Sequence, residues 1–314
     1  MSYRGRFAPS PTGPLHFGSL AAALASYADA RSAQGKWLLR IEDVDLPRTR
    51  AGAADRIRYD LERFGFDWDG EILRQSARTD AYHAALDALR ERGLAYRCTC
   101  TRRDLASAPR NADGEVVYPG RCRIDPARAA ARGGRAAWRA IVPAQAVSFV
   151  DRRFGALAQD LASEVGDFIV RRSDGWFAYQ LAVVVDDAAQ GITDVVRGAD
   201  LLSSTPRQVH LQHSLDLSTP RYLHIPVALD RRGAKLSKHH GAHPLSDDAV
   251  TALVDAWRFL GQPEFPGQPA SVGEFWAFAL SNWRTERLPL QHAQPAPGSE
   301  SPPPTRRTPC AQTP

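Results

Sequence analysis

The stretch that decides the fold is residues 4–43, RGRFAPSPTGPLHFGSLAAALASYADARSAQGKWLLRIED. Its first residues, Arg4–Ala8, predict a short strand, and an Ala- and Leu-rich helix is expected from about Ser19 to Ala33. A mostly apolar run, Trp37–Ile41, follows the glycine that ends the helix. Strand, helix and strand within about forty residues form a βαβ unit with parallel strands and a right-handed crossover.

Polar residues follow both strands of this unit. In open parallel sheets, ligands bind beyond the carboxyl ends of the strands, so the end of the first strand, His16 and Glu42 are expected to surround one crevice. His16 and Gly18 also stand just before a helix N-terminus, where backbone N–H groups and the helix dipole favour phosphate. The sequence therefore predicts a site for a phosphate-bearing ligand.

A second motif, Lys235-Leu236-Ser237-Lys238, follows the strand-like run Ile225–Leu229 in a basic, Gly-containing loop. A basic loop by itself is most often a solvated turn. Paired with the His16 segment, however, it resembles the two signature sequences of class I aminoacyl-tRNA synthetases, HIGH and KMSKS. Leu236 stands where Met is usual, and His239 replaces the final Ser.

This resemblance implies an ATP-binding site and names its residues. The residues that would contact ATP are His16, Gly18, Ser19, Lys235, Ser237 and Lys238. His16 and Lys238 would act in catalysis by stabilising the charge that develops on the phosphates. ATP would enter with Mg²⁺ as a substrate.

Two further segments, residues 178–187 and 196–201, are similar to the glutamyl/glutaminyl branch of that class. By this resemblance, the glutamate-binding residues are Arg6, Ala8, Ser10, Glu42, Tyr179 and Arg197. Glu42 would bind the α-ammonium group, and Arg6 a carboxylate. Two arginines in one pocket favour glutamate over glutamine, because a neutral amide would leave one cation unpaired.

Three of the four cysteines, with one tyrosine, form another cluster: Cys98, Cys100, Tyr118 and Cys122. Thiolates suit tetrahedral Zn²⁺, and a structural metal would organise a loop-rich segment with few apolar residues. The alternative is three unrelated thiols. Tyr118 is the weakest ligand of the set, because a neutral phenol binds metal poorly and water could replace it. Cys310 lies outside this cluster.

The expected fold is α/β: a Rossmann-like parallel sheet split by a zinc-containing insertion and followed by a short helical stem-contact remnant. The predicted ranges are 1–75 and 165–242 for the halves of the catalytic domain, 76–164 for the insertion, 243–288 for the helical region and 289–314 for a disordered Pro-rich tail. Parallel strands of the second half are expected at Phe168–Val170 and at Leu181–Val185, the latter because it is a continuous apolar run. No anticodon-binding domain is expected.

Composition is compatible with a globular α/β enzyme and argues against a secreted or membrane-spanning protein. The chain has 314 residues, 43% of them hydrophobic, and a formal net charge of +5. There is no secretory signal and no apolar run long enough for a membrane span, so a cytoplasmic protein without a membrane partner is expected. A monomer is expected, since nothing in the sequence indicates an obligate dimer.

The cysteine pattern and the short region after the lysine loop resemble the glutamyl-Q tRNA(Asp) synthetases. That resemblance implies an enzyme that activates L-glutamate with ATP without needing tRNA, then esterifies queuosine at the anticodon wobble position of tRNA(Asp). The tRNA backbone would contact arginines of the insertion, among them Arg102, Arg103, Arg121 and Arg123. Two alternatives stay open: a shortened glutamyl-tRNA synthetase that charges a 3′ end, and a catalytically silent RNA-binding paralogue.

Overall fold

The structure is a computed structural model and describes residues 2–112, 114–131, 134–230, 233–236 and 245–297. Its strands are β1 Arg4–Phe7, β2 Lys36–Ile41, β3 Leu73–Arg74, β4 Ala95–Cys98, β5 Ala137–Ala140, β6 Val147–Asp151, β7 Gly155–Gln159, β8 Phe168–Arg171, β9 Asp194–Gly198, β10 Arg221–Ile225, β11 Val227–Leu229 and β12 Ala293–Pro295. Its α-helices are α1 Phe17–Ser32, α2 Ala53–Arg63, α3 Thr79–Glu91, α4 Arg121–Ile124, α5 Pro126–Ala131, α6 Leu161–Glu164, α7 Tyr179–Ala189, α8 Thr205–Ser214, α9 Ala249–Phe259 and α10 Val272–Asn282. None of the helices within these ranges is both long and apolar enough to span a membrane.

The N-terminal βαβ unit is confirmed. Strands β1 and β2 pair in parallel, with Arg4 opposite Lys36 and Phe7 opposite Leu39. Helix α1 connects them, and its apolar residues are buried in the largest core cluster together with Trp37. The bond from the Glu42 N–H to the Pro9 carbonyl, at 3.0 Å, holds the two chain segments together beyond the strand ends. The residues after both strands therefore meet at one edge, as expected.

The second half of the sheet continues from β1. The Thr193 N–H donates to the Arg4 carbonyl at 2.9 Å, which places the start of β9 beside β1. Strand β10 pairs with β9 in parallel, and β6 joins β10 in parallel where Tyr222 lies opposite Asp151. Strand β7 completes this sheet as an antiparallel hairpin with β6. Part of the segment predicted as an insertion thus contributes strands to the core sheet.

The prediction of parallel pairing for Phe168–Val170 is wrong. This run forms β8, which pairs antiparallel with β5 in the separate sheet β4-β5-β8. The two core residues Phe168 and Val170 point to the same side of the strand and are buried. An apolar run predicts that a strand is buried. It does not predict whether the strand pairs parallel or antiparallel, because that depends on which strand the tertiary structure places beside it.

The prediction of a strand over Leu181–Val185 is also wrong, because this run lies inside helix α7. Residues Leu181, Ala182 and Val183 are fully buried, and Val184 almost so. A helix that is enclosed on most sides shows the same continuous apolar run as a buried strand. Periodicity cannot separate the two over so few residues.

The C-terminal helices agree with prediction, but the tail differs. The Asp248 carboxylate accepts hydrogen bonds from the backbone N–H groups of Val250 and Thr251 and so caps α9. Residues from 289 onward were expected to be disordered, which is wrong for β12. This strand, Ala293–Pro295, pairs in parallel with β11, because β11 offers an open edge of N–H and carbonyl groups. Residues 298–314 lie outside the described ranges.

Candidate active site

One cleft of about 530 Å³ opens at the carboxyl ends of β1, β2, β9 and β10. The predicted site residues that line it are Arg6, Ala8, Ser10, His16, Gly18, Ser19, Glu42, Tyr179, Arg197 and Lys235. The structure therefore brings together ten residues predicted from separate stretches of sequence. Ser237 and Lys238 lie outside the described residues.

His16 stands at the N-terminus of helix α1, as its N-cap. Its ring Nδ1 accepts a hydrogen bond from the Ser19 N–H at 3.3 Å, so the neutral imidazole carries its proton on Nε2. Gly18 is packed against this ring: a Cβ on Gly18 would lie 3.2 Å from His16 Cε1. A side chain at position 18 would therefore crowd the imidazole. The arrangement provides backbone N–H groups and a ring donor at one helix terminus, which suits a phosphate group.

Arg6 is buried beneath the cleft and is held by an acidic residue of helix α7. Its Nε lies 3.2 Å from Asp187 Oδ1, and Arg40 Nη2 lies 2.5 Å from the same oxygen. Although burial opposes ionisation, the guanidiniums of Arg40 and Arg6 lower the pKa of Asp187. One carboxylate thus serves two buried arginines, and a net positive charge remains for an anionic ligand.

Glu42 is a buried acidic residue that lines the cleft. Its side chain is 7% exposed, and its Oε1 accepts no hydrogen bond from any described residue. The nearest cation is Arg40, whose Nε lies 3.8 Å from Oε1. Burial raises the pKa of Glu42 from 4.5 to about 7, against the opposing effect of Arg40 and Arg6. A buried acceptor without a donor is suited to a cationic ligand group.

Arg197 projects into the other side of the cleft from β9. It is 5% exposed, and within the described part of the chain no carboxylate lies within ion-pair distance. Its hydrogen-bond acceptors are neutral groups: Gln208 Oε1 at 2.8 Å, Thr205 Oγ1 at 2.7 Å, His224 Nε2 at 3.1 Å, Leu201 O at 3.4 Å and, weakly, Tyr179 Oη at 3.5 Å. A buried cation without a counter-charge is costly, and a ligand carboxylate would supply one.

The described end of the lysine loop reaches the same cleft. Lys235 forms an ion pair with Asp200, which follows β9 and also lines the cleft. A bridge between Leu229 and Lys235 turns the chain back along β11. The described end of the basic segment is thereby anchored at the cleft beside β11.

The cysteine cluster lies in a separate small core. The three thiols of Cys98, Cys100 and Cys122 lie within 4.8 Å of one another, and Cys100 Sγ lies 3.5 Å from Cys122 Sγ. Two thiolates at about 2.3 Å from a tetrahedral zinc lie about 3.8 Å apart, so the spacing fits this metal. The Tyr118 hydroxyl lies 3.3 Å from Cys98 Sγ and 3.6 Å from Cys100 Sγ.

Tyr118 occupies the position of a fourth ligand in this cluster, and its side chain there is a protonated phenol. Burial raises the pKa of its hydroxyl strongly, and the neighbouring Cys98 adds to this. The hydroxyl also accepts a hydrogen bond from the Cys122 N–H at 3.1 Å, and the Arg139 guanidinium lies 3.7 Å from its ring centroid. The three thiols thus fit a metal site directly, and the neutral phenol is the weakest donor in it.

The four predicted tRNA-contacting arginines differ in their surroundings. Arg102 and Arg103 are exposed. Arg121 donates to the Asp104 carbonyl at 2.5 Å, and Arg123 pairs with the buried Asp167 at 3.2 Å. The first two are therefore available to a polyanion, whereas the second pair also serves the local structure.

Sequence analysis missed several residues that shape the cleft. Asp187 pairs with both Arg6 and Arg40, and His224 contacts Arg197. Arg40 could have been identified from the sequence, since an arginine inside an apolar strand needs a buried acidic partner. His224 could not have been identified in this way, because its partners lie far away along the chain.

Comparison with known proteins identifies the class to which this chain belongs. A model of the catalytic domain of class I tRNA synthetases (E and Q) matches residues 2–261. The fold and the cleft thus define a class I aminoacyl-tRNA synthetase catalytic domain. Within this class, relatives 52% and 54% identical over more than nine-tenths of this chain show that it belongs to the glutamyl-Q tRNA(Asp) synthetase family.

The curated relatives carry that assignment, and a solved structure shows the same fold. The glutamyl-Q tRNA(Asp) synthetase of Aromatoleum aromaticum is 52% identical over 95% of this chain and 94% of its own length. The protein of the same name from Dechloromonas aromatica is 54% identical over 92% of this chain and 96% of its own length. A glutamate tRNA ligase from Elizabethkingia meningosepticum, crystallised with its amino acid, shares the fold with a TM-score of 0.76 at 24% identity. The match covers 92% of this chain and 66% of that ligase.

Proposed function

We propose that this protein activates L-glutamate with ATP, without needing tRNA, and transfers the glutamyl group to queuosine at the anticodon wobble position of tRNA(Asp). The observation that carries the proposal is that one cleft holds a buried cation and a buried carboxyl group whose interactions are incomplete. Arg197 is a buried cation without a carboxylate partner, and Glu42 a buried acceptor without a donor among the described residues. An acidic amino acid carries the groups that complement both.

Glutamate would be bound at three points. Its ammonium group would pair with Glu42, and its two carboxylates with Arg197 and Arg6. Tyr179 would add a hydroxyl beside Arg197. Ala8 and Ser10, at the end of β1, would form the wall of the pocket. Glutamine would be disfavoured, because its amide would leave one buried guanidinium without a counter-charge.

ATP would lie across the N-terminus of helix α1, as its magnesium complex. His16, Gly18 and Ser19 line the cleft at this helix end, and Lys235 lines it as well. Ser237 and Lys238 are proposed ATP contacts from sequence alone. His16 and Lys238 would stabilise the charge on the phosphates as the reaction proceeds.

The reaction would have two steps. An oxygen of the glutamate α-carboxylate attacks the α-phosphorus in line, an O–P bond forms, and the bond to pyrophosphate breaks. A hydroxyl of the queuosine ring then attacks the carbonyl carbon of glutamyl-AMP, an ester forms and AMP leaves. The phosphate of the departing AMP accepts the hydroxyl proton. The protein supplies mainly position and fixed charge.

The cysteine cluster would hold one structural Zn²⁺. Cys98, Cys100 and Cys122 would be thiolate ligands, with Tyr118 or water as the fourth. When bound, the metal would cross-link β4 to α4. The test is zinc content: we expect one zinc per chain in wild type and loss of zinc in Cys122→Ser. Retention of zinc by Tyr118→Phe would assign the fourth position to water.

The remaining parts of the proposal concern tRNA and organisation. Apart from β6 and β7, which belong to the core sheet, residues 76–164 would form the zinc-containing insertion between the catalytic halves 1–75 and 165–242. Residues 243–288 would form the stem-contact region. Arg102 and Arg103 would contact the tRNA backbone. We propose a monomer, located in the cytoplasm because its substrates ATP and tRNA are there.

The decisive experiment maps the position of the glutamyl group. The protein is incubated with ATP, labelled glutamate and queuosine-containing tRNA(Asp), and the product is cut by a nuclease between the anticodon and the 3′ end. We expect label in the anticodon fragment and none with tRNA(Asp) that carries guanosine at the wobble position. Label in the 3′ fragment would indicate a shortened glutamyl-tRNA synthetase. Absence of glutamate-dependent ATP–pyrophosphate exchange would indicate a catalytically silent paralogue.

A further inference from the structure

Arg197 and two buried side chains behind it form a line across three strands. Asp151 ends β6, His224 belongs to β10, and Arg197 belongs to β9. Asp151 Oδ2 lies 2.7 Å from His224 Nδ1, and Arg197 Nε lies 3.1 Å from His224 Nε2. Asp151 and His224 are 1% and 0% exposed. Neither lines the cleft, so any effect on a ligand passes through Arg197.

The geometry fixes which ring nitrogen carries the proton. Asp151 accepts four hydrogen bonds, from the N–H groups of Arg153, Phe154 and His224 and from His224 Nδ1. The carboxylate is thereby fixed in place and receives the Nδ1 proton. The opposite nitrogen, Nε2, then presents a lone pair to the Arg197 Nε–H.

The imidazole is neutral in this arrangement. Burial lowers the pKa of His224, the hydrogen bond to Asp151 opposes this and the Arg197 charge adds to the lowering, which leaves a pKa of about 4. A protonated ring would direct an N–H at the Arg197 Nε–H, which excludes it on geometry as well. His224 therefore satisfies one donor of Arg197 without neutralising its charge.

That distinction matters for a site that must bind a carboxylate. An Asp or Glu placed directly on Arg197 would provide the counter-charge itself and would compete with the ligand. An imidazole between Asp151 and Arg197 holds the guanidinium in one orientation but leaves its charge uncompensated. The remaining contacts of Arg197, with Gln208 and Thr205, are neutral as well.

We propose that His224, held by Asp151, is a positioning residue that sets the preference for an acidic over an amide amino acid by orienting Arg197 while leaving its charge unpaired. This inference rests on the proposed function, since it assigns the carboxylate that Arg197 binds to glutamate. It concerns the amino acid and not ATP, so its effects must separate between the two substrates.

The test compares two replacements of His224, each of which keeps a polar group at one of the two ring-nitrogen positions. In His224→Gln the side chain reaches the Nε2 position and keeps an acceptor for Arg197. In His224→Asn it reaches only the Nδ1 position, so it can still donate to Asp151 but cannot contact Arg197. The control is His210→Asn, which replaces a half-buried histidine of helix α8 that contacts the Ile141 carbonyl and does not line the cleft.

The readout is ATP–pyrophosphate exchange with glutamate and with glutamine, together with thermal unfolding. Loss of a buried hydrogen bond to a charged group predicts that His224→Asn raises the KM for glutamate about 30-fold. The KM for ATP should change by less than about three-fold, and the ratio of kcat/KM for glutamate over glutamine should fall about ten-fold or more. His224→Gln should restore most of the glutamate KM and the ratio, and His210→Asn should change neither.

The outcomes separate the inference from the proposed function. If wild type shows no glutamate-dependent exchange, the proposed function fails and this inference with it. If wild type is active but His224→Asn keeps the wild-type ratio, only this inference is overturned. A parallel rise in both KM values with equal loss of thermal stability in the Asn and Gln variants would show a purely structural role and would overturn it too.

Discussion

Replacement of Glu42 by glutamine isolates the one acidic contact proposed for the substrate ammonium group. The substitution keeps the volume and removes the charge. Glu42 is 7% exposed, its Oε1 accepts no hydrogen bond from the described residues, and its ion pair among them is the long 3.8 Å contact with Arg40 Nε, so the substitution removes only a weak native interaction. The neighbouring Arg40 keeps its contact with Asp187. We therefore expect a variant that folds and has lost affinity for glutamate.

The magnitude follows from burial and distance. Two unit charges about 4 Å apart attract by about 4 kcal/mol at an effective dielectric constant of about 20. Desolvation of the ammonium group offsets part of this, and hydrogen bonds between charged groups contribute about 1.5–3 kcal/mol in net terms. A loss of about 2.7 kcal/mol corresponds to a 100-fold rise in the KM for glutamate, since about 1.36 kcal/mol is one decade.

The pH dependence gives a second, independent signature. The folded-state pKa of Glu42 is raised to about 7 by burial, and only the carboxylate can pair with an ammonium group. Its ionised fraction is about one half at pH 7 and about one tenth at pH 6. Wild-type kcat/KM for glutamate should therefore fall about ten-fold per pH unit below 7 and level off above about 8. Glu42→Gln should lack this acid limb.

The assay is ATP–pyrophosphate exchange at several pH values, with glutamate varied at saturating ATP. Glu62→Gln, on an exposed position of helix α2, is the matched control and should behave as wild type. The KM for ATP should be the same in all three proteins. A Glu42→Gln variant that binds glutamate normally, or that keeps the acid limb, would refute the assignment of Glu42 to the ammonium group.

Three further predictions concern the parts of the fold around the cleft. His224 has a folded-state pKa of about 4 against an ordinary 6.5, so the unfolded chain binds its proton first and stability is lost as pH falls from about 6.5 to about 4. The loss is about 3 kcal/mol, and urea unfolding of His224→Gln should show a flatter pH profile over this window. Asp187→Asn leaves Arg6 and Arg40 without their shared counter-charge and should lower the free energy of unfolding by about 3–5 kcal/mol, measured by urea titration. A chain that ends at residue 291 lacks β12 and should show a raised KM for ATP, about three- to ten-fold, because β11 leads into the lysine loop. A chain that ends at 297 keeps the strand, and an equal defect in both chains would contradict a role for β12.

Local sequence determined the parts of this protein that depend on neighbouring residues. The apolar run of β2, the Ala- and Leu-rich α1 and the turn carrying His16 lie within about forty residues, so the βαβ unit and its crevice could be predicted. The cap of α9 at Asp248 is equally local. The six proposed glutamate contacts were named from resemblance, and the structure places them along one cleft.

Tertiary structure decided what local pattern leaves open. Leu181–Val185 is helical because it is enclosed, which an apolar run does not distinguish from a central strand. Strand β12 has no apolar period and forms only because β11 presents an open edge to it.

The charges of the cleft depend on folding in the same way. His224 meets Asp151 across 73 positions of the chain, and Arg40 meets Asp187 across 147. Such pairs form because burial makes an unpaired charge or polar atom costly, and that cost exists only once distant strands have been brought together. The sequence by itself thus determined which chemical groups the cleft contains. The fold decided which of them are neutralised and which are left for a ligand.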